Sequence, residues 1–331
     1  MRDKSLSIDN FVAQQNEEKL LFTAGPASLL PENLVGLRPC FGRGDEDYSA
    51  VEARVMSALQ KMSGHSFLVR LQGSASLALE IMALNFLYGR VLVVQSGYYS
   101  DRLTYLGKSA QRTLEAVREV HCVDWDMLDT VSGSFDWIVS CYTETSCGIK
   151  IPIEMLRSTA DRLGAKLMLD ATASIGLEDR HDLADIIAYS SCKGLFGLTG
   201  AAFIAYNDIP TIEVNSFYLD IANHKNRKMT GPYHAIASLD EVLQNHDEFR
   251  YAVVENKRVF QERFTRHLTV PSKYQPLLCT HLSCTVETAD PRVVLYSPRS
   301  TKGGSVICHL GEVHLKRASK GTIQNVLQVE S

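Results

Sequence analysis

Short apolar runs separated by glycine and polar turns dominate the chain, and their spacing alternates between the two regular periods. After a polar leader over residues 1–20, residues 20–24 form a short extended segment closed by Gly25-Pro26. Residues 47–62 carry Val51, Val55, Ala58 and Leu59 at helical spacing, and Gly64 ends that helix. Residues 68–71 predict a strand and residues 73–76 a turn. A second helix over 77–88 has Leu77, Ile81, Leu84 and Leu87 on one face with further apolar residues around it, the pattern of a buried helix. Residues 91–95, 137–142, 166–170, 186–190 and 201–205 are β-favouring runs, and 99–119 and 152–164 read as helical spacers between some of them. Strands alternating with helices predict an α/β domain on a mostly parallel sheet of about six or seven strands. A long helix over residues 234–268 then leads to a smaller unit, with strands near 280–286, 292–296 and 305–308 and a closing helix over 317–328. The resulting organisation is a leader (1–20), a large domain (21–232), and a connecting helix with a small α/β domain (233–331).

Composition narrows the function classes. The 331 residues suffice for a sizeable core, and 45% hydrophobic with 22% charged residues is ordinary globular usage. A net charge of −4 provides no field for a polyanion, so nucleic acid is not an expected partner. The apolar stretches around residues 77–95 and 186–206 are broken by Glu80, Arg90 and Lys193, so no membrane span is predicted. The first twenty residues lack the apolar core of a secretory signal. Eight cysteines include no C-x-x-C pair and no N-x-S/T sequon occurs, so no metal site is expected and the reading is a cytoplasmic protein with reduced thiols.

In open α/β sheets ligands gather beyond the carboxyl ends of strands, which singles out four places. Gln72-Gly73-Ser74-Ala75-Ser76 opens a helix with small and hydroxyl residues, a potential anion cradle or a plain serine cap. Tyr142-Thr143-Glu144-Thr145-Ser146-Cys147-Gly148 is a hydroxyl-rich strand end, or merely a turn. Asp170 ends the apolar run Leu167-Met168-Leu169, where a carboxylate needs a donor partner, or caps the next segment. Lys193 sits in Ser190-Ser191-Cys192-Lys193-Gly194 between two strands, a setting that suits an amine for condensation with a carbonyl. A phosphate grip, an acid at a strand tip and a sheltered lysine together match the needs of pyridoxal phosphate.

These segments, with Leu21-Phe22-Thr23-Ala24-Gly25-Pro26, Ser96-Gly97-Tyr98-Tyr99-Ser100-Asp101-Arg102, Asp170-Ala171-Thr172-Ala173-Ser174 and Ser191-Cys192-Lys193, resemble the class V pyridoxal-phosphate-dependent aminotransferases. Within that class the chain is most similar to the 2-aminoethylphosphonate:pyruvate and alanine:glyoxylate transaminases, in order from about residue 20 to 328. The resemblance implies fold type I, with a large cofactor-binding domain and a smaller α/β C-terminal domain. It also implies transamination between a small-molecule amino donor, such as an aminophosphonate or amino acid, and a keto acceptor. Lys193 takes the place of the Schiff-base lysine and Asp170 that of the carboxylate on the ring nitrogen. Tyr99 matches the stacking aromatic, Ser74, Ala75 and Ser76 the phosphate grip, and Thr145 or Ser146 the group reaching the ring hydroxyl. Thr230, in Met229-Thr230-Gly231-Pro232, matches the segment that crosses to a neighbouring subunit's phosphate, implying a homodimer with shared active sites.

One position departs from the family pattern. Five residues before Gly311-Glu312-Val313, where relatives carry an arginine for the substrate carboxylate, stands Val306. Valine has neither charge nor donor, so either another cation replaces it or the substrate differs. Arg43, Arg227, and Arg299 or Lys302 upstream of Val306 are the candidate replacements. The same departure, with Cys147 and Cys192 as available thiols, keeps a desulfurase-like lyase as an alternative, and a cofactor-binding relative without turnover as another.

Overall fold

Along residues 166–170 the side chains alternate between two cores: Leu167 and Leu169 join one apolar cluster and Met168 the other. The same split recurs at residues 201–206, where Ala201, Phe203 and Ala205 face one cluster and Ala202, Ile204 and Tyr206 face the other. A sheet with both faces covered follows from that pattern, and each fully buried leucine contributes about 1.5–3 kcal/mol.

The computed structural model describes residues 7–38, 42, 44–299, 303–313 and 326–329. Its helices are α1 (Ile8–Glu17), α2 (Pro31–Val35), α3 (Glu46–Ser63), α4 (Ala75–Phe86), α5 (Tyr98–Thr113), α6 (Ile153–Leu163), α7 (Ile221–Lys225), α8 (Tyr233–Gln244) and α9 (His246–Arg263). The strands are β1 (Leu20–Phe22), β2 (Phe67–Gln72), β3 (Gly89–Gln95), β4 (Val117–Asp124), β5 (Trp137–Cys141), β6 (Thr143–Glu144), β7 (Ile149–Lys150), β8 (Lys166–Asp170), β9 (Ile186–Ser190), β10 (Ala201–Tyr206), β11 (Cys279–Leu282), β12 (Val286–Thr288), β13 (Val293–Leu295), β14 (Ser305–Cys308) and β15 (Leu327–Val329).

Seven strands form the central sheet in the order β2-β10-β9-β8-β5-β3-β4. All neighbours are parallel except β10, which runs antiparallel to both β2 and β9. Helices α4 and α5 pack with one face of the sheet, and α3, α6 and α8 contribute to the core on the other. Helix α3 stops where the sequence predicts, at Gly64, whose left-handed φ of 74° a side chain would oppose.

Four elements differ from the sequence-based expectation. The stretch 99–119 is not all helix: α5 ends at Thr113 and β4 begins at Val117. Only Val117 of β4 is buried, because the strand lies at the sheet edge, so it lacks the apolar run that marks the other strands. The connecting helix over 234–268 is broken at Asn245 into α8 and α9. Strand β1, grouped by sequence with the large domain, pairs in parallel with β13 of the C-terminal unit, and Leu20 and Phe22 share a third core with Phe260, Phe264 and Ile307. The closing helix expected over 317–328 falls largely outside the described residues, and Leu327–Val329 is instead strand β15, paired antiparallel with β12. Among the described residues no helix is long and apolar enough to cross a membrane, and no group of three or more His, Cys, Asp or Glu could hold a metal.

Candidate active site

The carboxyl ends of β8 and β9, the segment after β5 and the start of α4 converge on a cavity of about 200 Å³. Ser74, Ala75, Ser76, Tyr99, Thr145, Asp170 and Lys193 all line it, so the fold brings together most of the residues that sequence singled out. Arg102, Thr143, Thr172, Ser190 and Cys192 complete much of the wall.

Lys193 follows β9 and is held by its backbone and by a close neighbour. Its carbonyl accepts from the Phe196 N–H at 2.8 Å, and the next carbonyl, that of Gly194, accepts from His246 Nε2 at 2.8 Å. The Gly25-Pro26 segment lies over the lysine stem, and Ala27 N–H donates to the Cys192 carbonyl at 2.8 Å. A Cβ on Gly25 would meet Lys193 Cγ at 2.9 Å, and Gly25 has φ of +124°, so both space and backbone require glycine there. Lys193 Nζ lies 5.6 Å from the Tyr99 ring centroid.

Asp170 ends β8 and is 5% exposed. Oδ1 accepts from Thr172 N–H at 2.9 Å and Oδ2 from Arg102 Nη2 at 3.2 Å. A carboxylate has about four acceptor positions, so both oxygens retain capacity toward the cavity. Ser74 is the N-cap of α4 in extended conformation, but its hydroxyl makes no capping bond. The helix N-terminus with its first-turn N–H groups therefore meets the cavity beside two serines, as an anion would require.

Tyr99 is positioned by a carboxylate for which sequence analysis assigned no role. Glu144 is fully buried, and its Oε2 accepts from the Tyr99 and Ser100 N–H groups, each at 3.0 Å. Its Oε1 accepts from Ser146 N–H at 3.1 Å and from the Ser146 hydroxyl at 2.6 Å. Burial outweighs these donors and raises the Glu144 pKa, with Asp170 adding to the rise. Ser146 Oγ also accepts from Tyr98 N–H at 3.1 Å. It is therefore committed to the start of α5, and of the pair Thr145 and Ser146 it is Thr145 that lines the cavity. Glu144 was legible in principle, as a lone carboxylate three residues past the apolar strand β5. Arg102 was legible as the residue three after Tyr99 on one helix, which puts the two on the same face; its guanidinium carbon is 5.1 Å from the Tyr99 ring centroid.

The other predicted residues lie apart. Thr230 is exposed and borders a separate concavity with Gln72, Gly200 and Tyr233. Arg227 pairs with buried Glu52 at 3.3 Å, beside the Arg70–Glu52 ion pair, and does not line the Lys193 cavity. Arg299 places Nη1 3.2 Å from the Tyr98 hydroxyl, with its guanidinium 5.4 Å from that ring centroid. Arg43 and Lys302 lie outside the described residues. Val306 is 1% exposed on β14, opposite His281.

Two buried hydroxyls of the wall, Thr143 Oγ1 and Thr172 Oγ1, make no hydrogen bond among the described residues. Unsatisfied buried polar atoms are costly, so a polar ligand is the natural partner. An aldehyde-bearing pyridine phosphate fits this donor set: an amine, a carboxylate, an aromatic face, hydroxyls and a helix N-terminus.

No family model matches the chain. It is 29% identical over 254 residues to a 2-aminoethylphosphonate–pyruvate transaminase of Pseudomonas aeruginosa, covering 69% of this chain and 68% of that protein. A protein of the same name from Polaromonas sp. is 26% identical over 259 residues, covering 70% and 69%. Among solved structures, alanine–glyoxylate aminotransferase from Nostoc sp. superposes with TM-score 0.78 at 18% identity over 93% of both chains. Pyridoxamine–pyruvate aminotransferase from Mesorhizobium loti gives 0.73 at 20% identity over 94% and 93%. A cysteine desulfurase from Thermococcus onnurineus gives 0.68 at 14% identity over 94% of both chains.

Proposed function

We propose that this chain, which has the fold of the type I pyridoxal-phosphate-dependent transferases and resembles their class V aminotransferases in sequence, is a pyridoxal-phosphate-dependent transaminase of a small amino compound. The observation that carries the reading is the single cavity shared by Lys193, Asp170, Tyr99 and the α4 N-terminus. When bound, the cofactor supplies an aldehyde for the amino group and an electron-withdrawing ring that eases loss of a proton from the neighbouring carbon. The protein's share is to hold and to move protons. Lys193 presents its amine to the aldehyde, and once displaced that amine can take a proton from the substrate carbon and return it nearby. Asp170, fixed by Thr172 N–H and Arg102, keeps an acceptor for the ring N–H. Tyr99 offers a ring face, and Ser74, Ala75 and Ser76 offer hydroxyls and a helix N-terminus to the phosphate.

The substrate reading follows the curated relatives, and an aminophosphonate or amino acid donor with a keto acid acceptor is the proposal. Val306 bears on it, because position 306 supplies no cation. Of the three candidate arginines, Arg299 is supported best: it contacts Tyr98, the neighbour of Tyr99. A homodimer accords with exposed Phe217 and Tyr218 (64% and 45%), since the Tyr218 hydroxyl reaches the Gln72 carbonyl beside the concavity that Thr230 borders. A cytoplasmic setting accords with seven described cysteines, none in a disulfide. Against the lyase alternative, Cys147 donates its thiol to the Ser96 carbonyl at 3.0 Å and does not line the cavity, leaving Cys192 there.

The test is a panel of aminophosphonates and amino acids, each added alone to cofactor-loaded protein. A transaminase converts the bound cofactor stoichiometrically to its amine form, whereas a lyase releases product and returns to its starting spectrum. Protein that takes up no cofactor, or a Lys193→Ala variant that keeps the wild-type absorption band, would exclude the proposal.

A further inference from the structure

The phosphate cradle carries no charge of its own: Ser74, Ala75 and Ser76 are neutral, and a helix N-terminus contributes only a partial charge. Among the described residues that line the cavity, the cationic side chains are Lys193 and Arg102. The amine of Lys193 is committed to the aldehyde in the reading above. Arg102 is differently placed. Its Nη1 donates to Ser76 Oγ at 3.0 Å while Nη2 donates to Asp170 Oδ2 at 3.2 Å, so one guanidinium spans the cradle and the carboxylate. Its buried Nε has no hydrogen-bond partner among the described residues. The guanidinium carbon lies over the Tyr99 ring, 5.1 Å from its centroid, which limits the freedom lost on binding.

We infer that Arg102 is a binding residue for the cofactor phosphate, supplying through its contact with Ser76 the positive charge that the neutral cradle lacks. The inference rests on the pyridoxal phosphate reading and extends it to a side chain whose role so far is only to hold Asp170. A guanidinium is permanently charged and planar, suited to sharing itself between a carboxylate and a phosphate. The contact to Asp170 is part of the same device, since it anchors the guanidinium from the far side.

The experiment compares binding of pyridoxal phosphate, pyridoxal and inorganic phosphate to wild-type, Arg102→Gln and Arg102→Lys proteins, with thermal melts to establish folding. In wild type, pyridoxal phosphate should bind far more tightly than pyridoxal, and inorganic phosphate should compete with it. Arg102→Gln should lose at least tenfold in affinity for pyridoxal phosphate and lose competition by inorganic phosphate, with a much smaller loss for pyridoxal, whose ring feels only the loosened Asp170 contact. Arg102→Lys should keep most of the preference for the phosphorylated form, and it reads out the role of charge if the glutamine variant fails to fold. Equal losses for pyridoxal phosphate and pyridoxal would overturn the inference, because Arg102 would then act through Asp170 alone. Unchanged affinities would overturn it as well. Wild-type protein that binds neither form would instead count against the cofactor reading, a distinguishable result.

Discussion

The backbone N–H of Tyr99 donates to Glu144 Oε2 at 3.0 Å, tying the cavity's aromatic face to a fully buried carboxylate at the end of β6, next to Thr145. Since the Ser100 and Ser146 donors converge on the same side chain, its removal strands several buried groups at once. Glu144→Ala should cost about 1–3 kcal/mol in a urea melt and weaken the circular dichroism of the bound cofactor as Tyr99 loosens. Glu144→Gln keeps an acceptor and should recover part of both. An alanine variant with wild-type cofactor dichroism would remove the positioning role.

Gly25 and Lys193 give the second prediction. An alanine at 25 meets Lys193 Cγ at 2.9 Å and must also adopt a φ of +124°. Gly25→Ala should destabilise the fold by about 1–3 kcal/mol and slow formation of the cofactor's absorption band in stopped-flow mixing. Equal stability and an unchanged rate would show that the segment yields freely.

Acid should weaken the protein through a buried histidine. His181, with Nε2 2.9 Å from Ser174 Oγ, has its pKa lowered by burial from 6.5 to about 3, with the His65 charge adding to the effect. A depressed histidine favours the fold when neutral, so its contribution is complete above pH 6.5 and is lost as pH falls toward about 3. Glu144, raised by burial, has the opposite sign: its contribution is lost as pH rises from 4.5. The difference between wild type and His181→Gln isolates the first effect. Urea midpoints measured from pH 8 to pH 5 should fall less for the variant than for wild type; parallel curves would refute the assignment.

What could be read from sequence follows from what each residue buries. Leu167-Met168-Leu169 and its counterpart strands announce themselves because both sheet faces are covered, and Asp170 and Lys193 stand out as polar residues where those runs stop. β4 did not, since an edge strand buries little and its Arg118, Glu119 and His121 resemble an exposed helix. The pairing of β1 with β13 joins positions more than 270 residues apart, as Leu20 opposite Val293, which no local pattern encodes. Ser146 and Thr145 are chemically alike, and only the geometry of α5 decides that the first hydroxyl is spent on Glu144 and Tyr98. The break at Asn245 was equally hidden, because both helices continue the apolar spacing of one.

Arg227 and Glu52 yield the last prediction, which separates anchoring from substrate binding. Glu52 is 2% exposed and pairs with Arg70, itself 9% exposed, and with the far more exposed Arg227 at 3.3 Å. Removing the carboxylate leaves Arg70 buried without its partner, so Glu52→Ala should cost about 3–5 kcal/mol. Arg227→Ala leaves the inner pair intact and removes a mostly solvated charge, for about 0–1 kcal/mol. Because Arg227 does not line the Lys193 cavity, its variant should also retain the wild-type KM for the amino donor, whereas Arg299→Ala should raise it. Urea melts measure the first pair of effects and steady-state kinetics the second. A tenfold rise in KM for Arg227→Ala with unchanged stability would return that residue to the substrate clamp.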